Sequence, residues 1–214
     1  MTQPVAGLAI GMHDDVPRLT GILLAAGKGT RFDPAGARSK LLQPLPDGTA
    51  VVVAAARNLL AALPDVLAVI RPDSDALALE LKAAGCRITR CPNAEQGLAA
   101  SLVHALTQAS QAQGWVIALG DMPYVQPATM RALAAAIAQG AQIAVPTNRA
   151  RRGNPVAFGR AYLPELLRLH GDEGARHLLK TMPVVEIATD DPGIFQDIDI
   201  WADLHQNMPQ EGTE

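Results

Sequence analysis

Glycines and cations are interleaved in the run Leu23-Leu24-Ala25-Ala26-Gly27-Lys28-Gly29-Thr30-Arg31-Phe32, and that mixture suits an anion. Glycines at 27 and 29 allow a tight turn and leave amide N–H groups uncovered, while Lys28, Arg31 and, further on, Lys40 add positive charge. Uncovered amides beside cations at the end of a strand make a phosphate site. A carboxylate, Asp121, follows a second apolar run directly. Beside a phosphate loop it reads as a ligand for Mg²⁺, which is held by one or two carboxylates plus substrate phosphates. A second carboxylate must come from elsewhere. Asp197-Ile198-Asp199 on an extended segment would turn both acids to one face, since strand side chains alternate. Asp190 and Asp191 are alternatives, although Pro192-Gly193 marks them as a turn.

Two familiar phosphate loops do not fit. A P-loop requires G-x-x-x-x-G-K-[ST], but Gly27-Lys28 is followed by Gly29 and position 22 is Ile. A dinucleotide fingerprint requires G-x-G-x-x-G, and its third glycine is replaced by Phe32.

The elements that would carry these residues alternate along the chain. Apolar runs predict strands over 20–26, 66–70, 86–90, 115–119 and 142–146. Between them, alanine- and leucine-rich stretches predict helices over 50–62, from 73 or 74 to 84, and over 100–112 and 128–139, with Thr49 capping the first and Asp73 or Ser74 the second. Most strands are apolar throughout rather than alternating, which implies an α/β fold with a mostly parallel sheet covered on both faces. From Arg151 the pattern changes to short strands over 155–158 and 184–187 and short helices over 163–169 and 175–180. Residues 1–19 read as an irregular leader, 20–206 as one domain and 207–214 as a polar tail. In such a sheet ligands bind beyond the C-terminal strand ends. There the glycine loop, Gln96-Gly97 and Gly120-Asp121 should converge on one crevice.

Composition narrows the partners. With 49% apolar and 18% charged residues in 214, the chain is globular. A net charge of −3 and 3% aromatics argue against a nucleic-acid binder. Cys86 and Cys91 are too few for a disulfide framework and read as buried thiols. No run reaches the length of a membrane span, and the apolar patch over 5–10 lacks the basic start of a secretory signal, so the expected setting is cytoplasmic.

Taken in order, these segments resemble the MobA-like nucleotidyltransferases, and most closely their molybdenum cofactor cytidylyltransferase branch. The resemblance rests on residues 24–32 and on Lys40-Leu41-Leu42, then on Gly97 with Ser101-Leu102 and on Gly120-Asp121-Met122-Pro123. Arg152-Gly153-Asn154-Pro155-Val156, Gly171-Asp172-Glu173-Gly174-Ala175-Arg176 and Asp197-Ile198-Asp199 complete the order over about residues 20–204. It implies a three-layer α/β/α, Rossmann-like fold and a Mg²⁺-dependent transfer of CMP from CTP to the terminal phosphate of molybdopterin, with release of pyrophosphate. Another base or acceptor, or a non-catalytic cofactor carrier, are the alternatives. By the same resemblance Ala25, Ala26, Gly27, Lys28 and Gly29 would take the base and triphosphate. Arg31 would hold the leaving phosphates and Lys40 the α-phosphate. Gly97 and Ser101 would lie beside base and ribose, Asp121 and Asp199 would bind Mg²⁺, and Gly153, Asn154 and Asp172 would face the acceptor. A molybdenum hydroxylase would receive the product. The chain departs from the family pattern in the longer Arg31–Lys40 spacing, in Asn154 where this branch carries His, and in Ile200-Trp201 where the family has Thr-Pro.

Overall fold

The computed structural model describes residues 18–34, 38–171 and 175–205. Its spine is an eight-stranded sheet in the order β3-β2-β1-β4-β7-β5-β6, with β8 paired to β5. The first four strands are β1 (Leu19–Leu24), β2 (Val66–Ile70), β3 (Arg87–Arg90) and β4 (Gly114–Leu119). They are mutually parallel where they pair. Then come β5 (Ile143–Asn148), β6 (Arg151–Arg152), β7 (Val156–Gly159) and β8 (Val185–Ala188). The change of pattern at Arg151 is where the sheet turns antiparallel: β6 and β7 run against β5, and β7 against β4. β8 returns parallel to β5. The sheet is therefore mostly parallel, as expected.

Helices α1 (Val51–Ala62), α2 (Asp75–Ala83), α3 (Leu98–Gln108) and α4 (Pro127–Ala138) connect the strands, and α5 (Leu163–Leu166) and α6 (Arg176–Thr181) are single short turns. Alternation along β1 divides the core. Leu23 faces α1, α2 and α4 through a cluster that includes Leu59, Leu81 and Leu133. Ile22 and Leu24 face α3 with Leu106, and the same cluster reaches Leu166 of α5 and Leu178 of α6. Three layers result, each face of the sheet covered because each face is apolar.

The predicted helices form; the cap of the first differs from expectation, and that of the second falls on Ser74 as one of the two residues expected. Ala50, not Thr49, occupies the N-cap of α1, and no side chain bonds there. Thr49 instead donates its N–H to Asp47 Oδ1 at 2.9 Å, closing the preceding turn. Ser74 is at the N-cap of α2 without a side-chain bond, while Asp73 accepts from Arg71. Buried apolar faces, not caps, hold these helices. Both cysteines are buried, and burial pushes the Cys86 thiol up to about 11. Among the described residues no helix is long and apolar enough to cross a membrane. The stretches 1–17 and 206–214, which hold nearly all of the expected leader and tail, lie outside the described residues.

The chain leaves β1 toward β2 on one side, while β4 lies on the other. That makes the β1/β4 junction the topological switch point, where a crevice opens beyond the strand ends. Leu24 and Leu119 are in register, so the two strands deliver their following loops side by side.

The opposite end of the sheet is tied by Asp65. Its carboxylate accepts from Thr20 Oγ1 at 2.8 Å and from Arg87 Nε and Nη2 at 2.8 and 3.0 Å, joining the starts of β1, β2 and β3. Hydrogen bonds from Arg87 hold this carboxyl below the usual carboxylate range. Partial burial opposes them, and the Thr20 hydroxyl and the charge of Arg87 assist. A depressed folded pKa stabilises above the unfolded value and is lost as pH falls through the folded one. Because the pair is exposed, Asp65→Asn should cost about 1 kcal/mol or less at pH 7. In thermal melts the gap from wild type should close below about pH 4; a gap that persists unchanged at pH 2.5 would contradict this role.

Candidate active site

Three segments meet beyond β1 and β4. The glycine loop begins in sheet-like register, with Ala25 N–H donating to Val69 O and Gly120 N–H to Leu24 O, both at 2.9 Å. It closes where Phe32 and Asp33 N–H both donate to the carbonyl of Gly29. Phe32 is buried, which leaves the neighbouring Arg31 side chain out in solvent, 79% exposed. Lys40 opens a short 3-10 turn, Lys40–Leu42, anchored by buried Leu41, and its stem passes over Gly29. Gly29 itself sits at φ 64°, in the left-handed region that favours glycine. Asp121 follows Gly120 at the end of β4.

The third segment, 197–199, runs alongside Asp121: Ile198 N–H donates to the Asp121 carbonyl at 2.9 Å, and the Ile198 side chain is buried. The two candidate second carboxylates on this segment are placed differently. Asp199 and Asp197 both line the cleft. Only Asp199 meets Asp121 across a shared partner, because Lys40 Nζ lies 2.6 Å from Asp121 Oδ2 and 3.2 Å from Asp199 Oδ1. Arg31 Nη1 reaches the other Asp199 oxygen at 2.5 Å. Asp191 is spent elsewhere: it is buried and accepts from Gln126 N–H, Thr129 Oγ1 and Gly193 N–H, fixing the start of α4.

Lys40 is 12% exposed, and Asp121 and Asp199 are 22% and 24% exposed. Burial works against the Lys40 ammonium. The charge and hydrogen bond of Asp121, and then those of Asp199, outweigh it and hold the group above its ordinary value. Two carboxylates within bonding distance of one ammonium enclose a space for a single cation. Among the described residues no cluster of three or more His, Cys, Asp or Glu could hold a metal. Two oxygens plus a rim of cations suit a hard divalent ion whose remaining ligands are water and phosphate. The donor set fits such an ion.

The cleft measures about 550 Å³. Ala25, Ala26, Gly27, Lys28, Gly29 and Arg31 line it on one side, and Lys40, Asp121 and Asp199 form its floor. Gly97 and Ser101, at the start of α3, make a further wall. Glu95 and Arg176 also line it. Neither had a role in the sequence reading, since no local pattern points across the fold; Arg176 appears only as the last residue of its motif.

The acceptor-side residues fall differently. Gly153 and Asn154 do not line the cleft. Gly153 packs so closely on Ile194 that a Cβ would stand 2.6 Å from its carbonyl, and Asn154 N–H donates to that same carbonyl at 3.0 Å. Both brace the turn Pro192–Phe195 that leads into the 197–199 segment. Asp172 lies outside the described residues.

Comparison with known proteins shows relatives of the same family and fold. A model described as the MobA-like NTP transferase domain matches residues 21–187. The chain is 30% identical to the crystal structure of Rv0371c from Mycobacterium tuberculosis H37Rv, with a TM-score of 0.72 over 87% of this chain and 95% of that one. The same protein has been solved in complex with manganese, at 29% identity and a TM-score of 0.70 over the same shares. A nucleotidyl transferase from Methanothermobacter thermautotroptrophicus shares the fold, with a TM-score of 0.73 at 23% identity over 87% and 94% of the two chains. Nicotine blue oxidoreductase of Paenarthrobacter nicotinovorans is 28% identical over 194 residues, 86% of this chain and 94% of that one.

Gly97 gives this wall a test. It sits at φ 106° and ψ −177°, a backbone region open essentially to glycine alone. Gly97→Ala should lower stability by about 1–3 kcal/mol, read from denaturant midpoints, and weaken nucleotide binding as the start of α3 shifts. An alanine variant with wild-type stability and affinity would show that the wall tolerates another backbone.

Proposed function

Because the chain belongs to the MobA-like NTP transferase family, we propose that this nucleotidyltransferase moves CMP from CTP to the terminal phosphate of molybdopterin and releases pyrophosphate, with Mg²⁺ as its ion. The observation that carries the reading is the single ammonium of Lys40 shared by Asp121 and Asp199 at the mouth of the glycine loop. That arrangement supports the reading because the two carboxylates and the glycine loop lie within reach of one side chain. Support for a divalent ion comes from the donor set and from the manganese complex of a 29% identical relative. The choice of cytidine and of molybdopterin rests on the branch-like segments Gly153-Asn154-Pro155-Val156 and 171–176.

The acceptor phosphate is already an anion, so attack on the α-phosphorus needs no general base. The barrier comes from repulsion between two polyanions and from poor alignment. The amides of Ala25 to Gly29 hold the triphosphate. Lys40 swings its ammonium from the carboxylates to the α-phosphate, and Arg31 takes the departing β- and γ-phosphates. Gly97 and Ser101 seat the base and ribose. Asp121 and Asp199 would hold Mg²⁺, which would supply charge neutralisation at the transferring phosphoryl group. Gly153, Asn154 and Asp172 serve the acceptor side, the first two through the turn they brace, and a molybdenum hydroxylase is the receiver of the product.

A second reading follows from the relative named nicotine blue oxidoreductase: the same cleft could bind a nucleotide cofactor for reduction. Arg31, Lys40, Asp121 and Asp199, all in one cleft, favour transfer, because reduction has no use for a paired-carboxylate cation site.

Pyrophosphate release should require CTP, Mg²⁺ and molybdopterin together, and Asp121→Ala or Lys40→Ala should lower kcat about 100-fold or more. Full activity in Asp121→Ala would remove the ion-holding role. No release with any NTP, but oxidation of NADH or NADPH with a redox dye, would move the chain to the second reading.

A further inference from the structure

Asp199 is held in the cleft by side chains that substrate would claim. Arg31 and Lys40 are its two cationic partners, and both are the natural partners of a triphosphate. When phosphates draw them away, something else must keep this carboxylate opposite Asp121.

The chain around Asp199 shows what does so. Ile198 and Leu204 are buried, at 1% and 2% exposure, and between them the backbone loops outward, with Ile200 and Trp201 exposed. Asp203 closes the base of this loop. One of its oxygens, Oδ2, accepts both the Asp199 N–H and the Ile200 N–H at 2.8 Å each. At the apex Trp201 packs on Phe32 of the glycine loop, with ring centroids 4.6 Å apart and planes at 31°. The Arg38 guanidinium lies 5.4 Å from the Trp201 ring. Asp203 itself does not line the cleft; its carboxylate is turned to the backbone.

We infer that Asp203 is a positioning residue for the cation site: it fixes the backbone of Asp199 so that the second carboxylate stays opposite Asp121 when Lys40 and Arg31 leave. Two amides on one carboxylate oxygen are charge-assisted bonds, about twice as strong as neutral ones. Their acceptor lies outside the cleft lining, where substrate phosphates would not compete for it. The Trp201–Phe32 contact couples the same loop to the phosphate cradle, so the two halves of the site keep their spacing. The inference rests on the reading of Asp199 as a ligand of the divalent ion.

The test is the affinity for Mn²⁺ alone, followed by the electron paramagnetic resonance of the free ion, in wild type and in Asp203→Ala, Asp203→Asn, Asp203→Ser, Asp199→Ala and the Asp199→Ala/Asp203→Ala double variant. Asp203→Ala should bind Mn²⁺ about 10- to 100-fold more weakly. Asp203→Asn and Asp203→Ser should recover much of that loss, since a neutral oxygen can still accept from the two amides. Asp203→Ala should add little on top of Asp199→Ala. Wild-type affinity in Asp203→Ala would overturn the inference. So would Asn and Ser variants as weak as Ala, because a long-range charge effect would then suffice, or an equal loss in the Asp199→Ala background. Failure of wild type itself to bind Mn²⁺ would instead overturn the ligand role of Asp121 and Asp199, and the inference with it.

Discussion

The active end of this molecule depends on one cation shared by two carboxylates. Lys40 joins Asp121, 81 residues away, and Asp199, 159 residues away, so a single ammonium ties the glycine-loop region, the end of β4 and the C-terminal segment. Its value is placement rather than stability. Burying the three groups costs desolvation that offsets much of their attraction, and removing Lys40 would leave two carboxylates facing each other. With the ammonium present the cleft is preorganised around a positive centre. In the proposed reaction, phosphates would replace the carboxylates as partners of Lys40 and Arg31, and Asp121 and Asp199 would be left to hold a divalent ion.

The rest of the fold works to bring those three groups to one point. Parallel pairing of β1 with β4 in register sets the glycine loop beside Asp121. The C-terminal approach is fixed by close packing: a Cβ on Gly193 would stand 2.2 Å from the Tyr124 carbonyl, and Gly153 is as tightly set against Ile194. Buried Asp191 pins the same turn to the start of α4. The backbone therefore arrives at Ile198 with little freedom, and its bond to the Asp121 carbonyl completes the register. Gly153 and Asn154 shape the site through this path, though neither touches the cleft.

Much of this was legible in the sequence because the signals were local. Val66 to Ile70 is an unbroken apolar run and forms β2 with the bounds read from it. The glycine loop and Asp121 sit at strand ends, where parallel-sheet topology gathers ligand groups. What could not be read was decided by contacts across the fold. Asp203 stands between Ala202 and Leu204 with no spacing that marks it, and only the fold shows its oxygen on two amides. Glu95 and Arg176 reach the cleft from elements with no pattern that aims them there. Thr49 looks like a cap, but the chain enters the helix one residue later, at Ala50, and the helix starts from buried valines. That Asp199 and Asp121 share Lys40 is likewise a contact across the fold, which no spacing supplies.

The fate of the α-phosphorus tests the central claim most directly. With CTP labelled at the α-position, Mg²⁺ and molybdopterin, the label should appear in the acceptor product, while label placed at the γ-position should leave entirely as pyrophosphate. Gamma label on the acceptor, or no transfer from the α-position under conditions where CTP and ion are bound, would contradict the assignment of the Lys40–Asp121–Asp199 centre to nucleotidyl transfer.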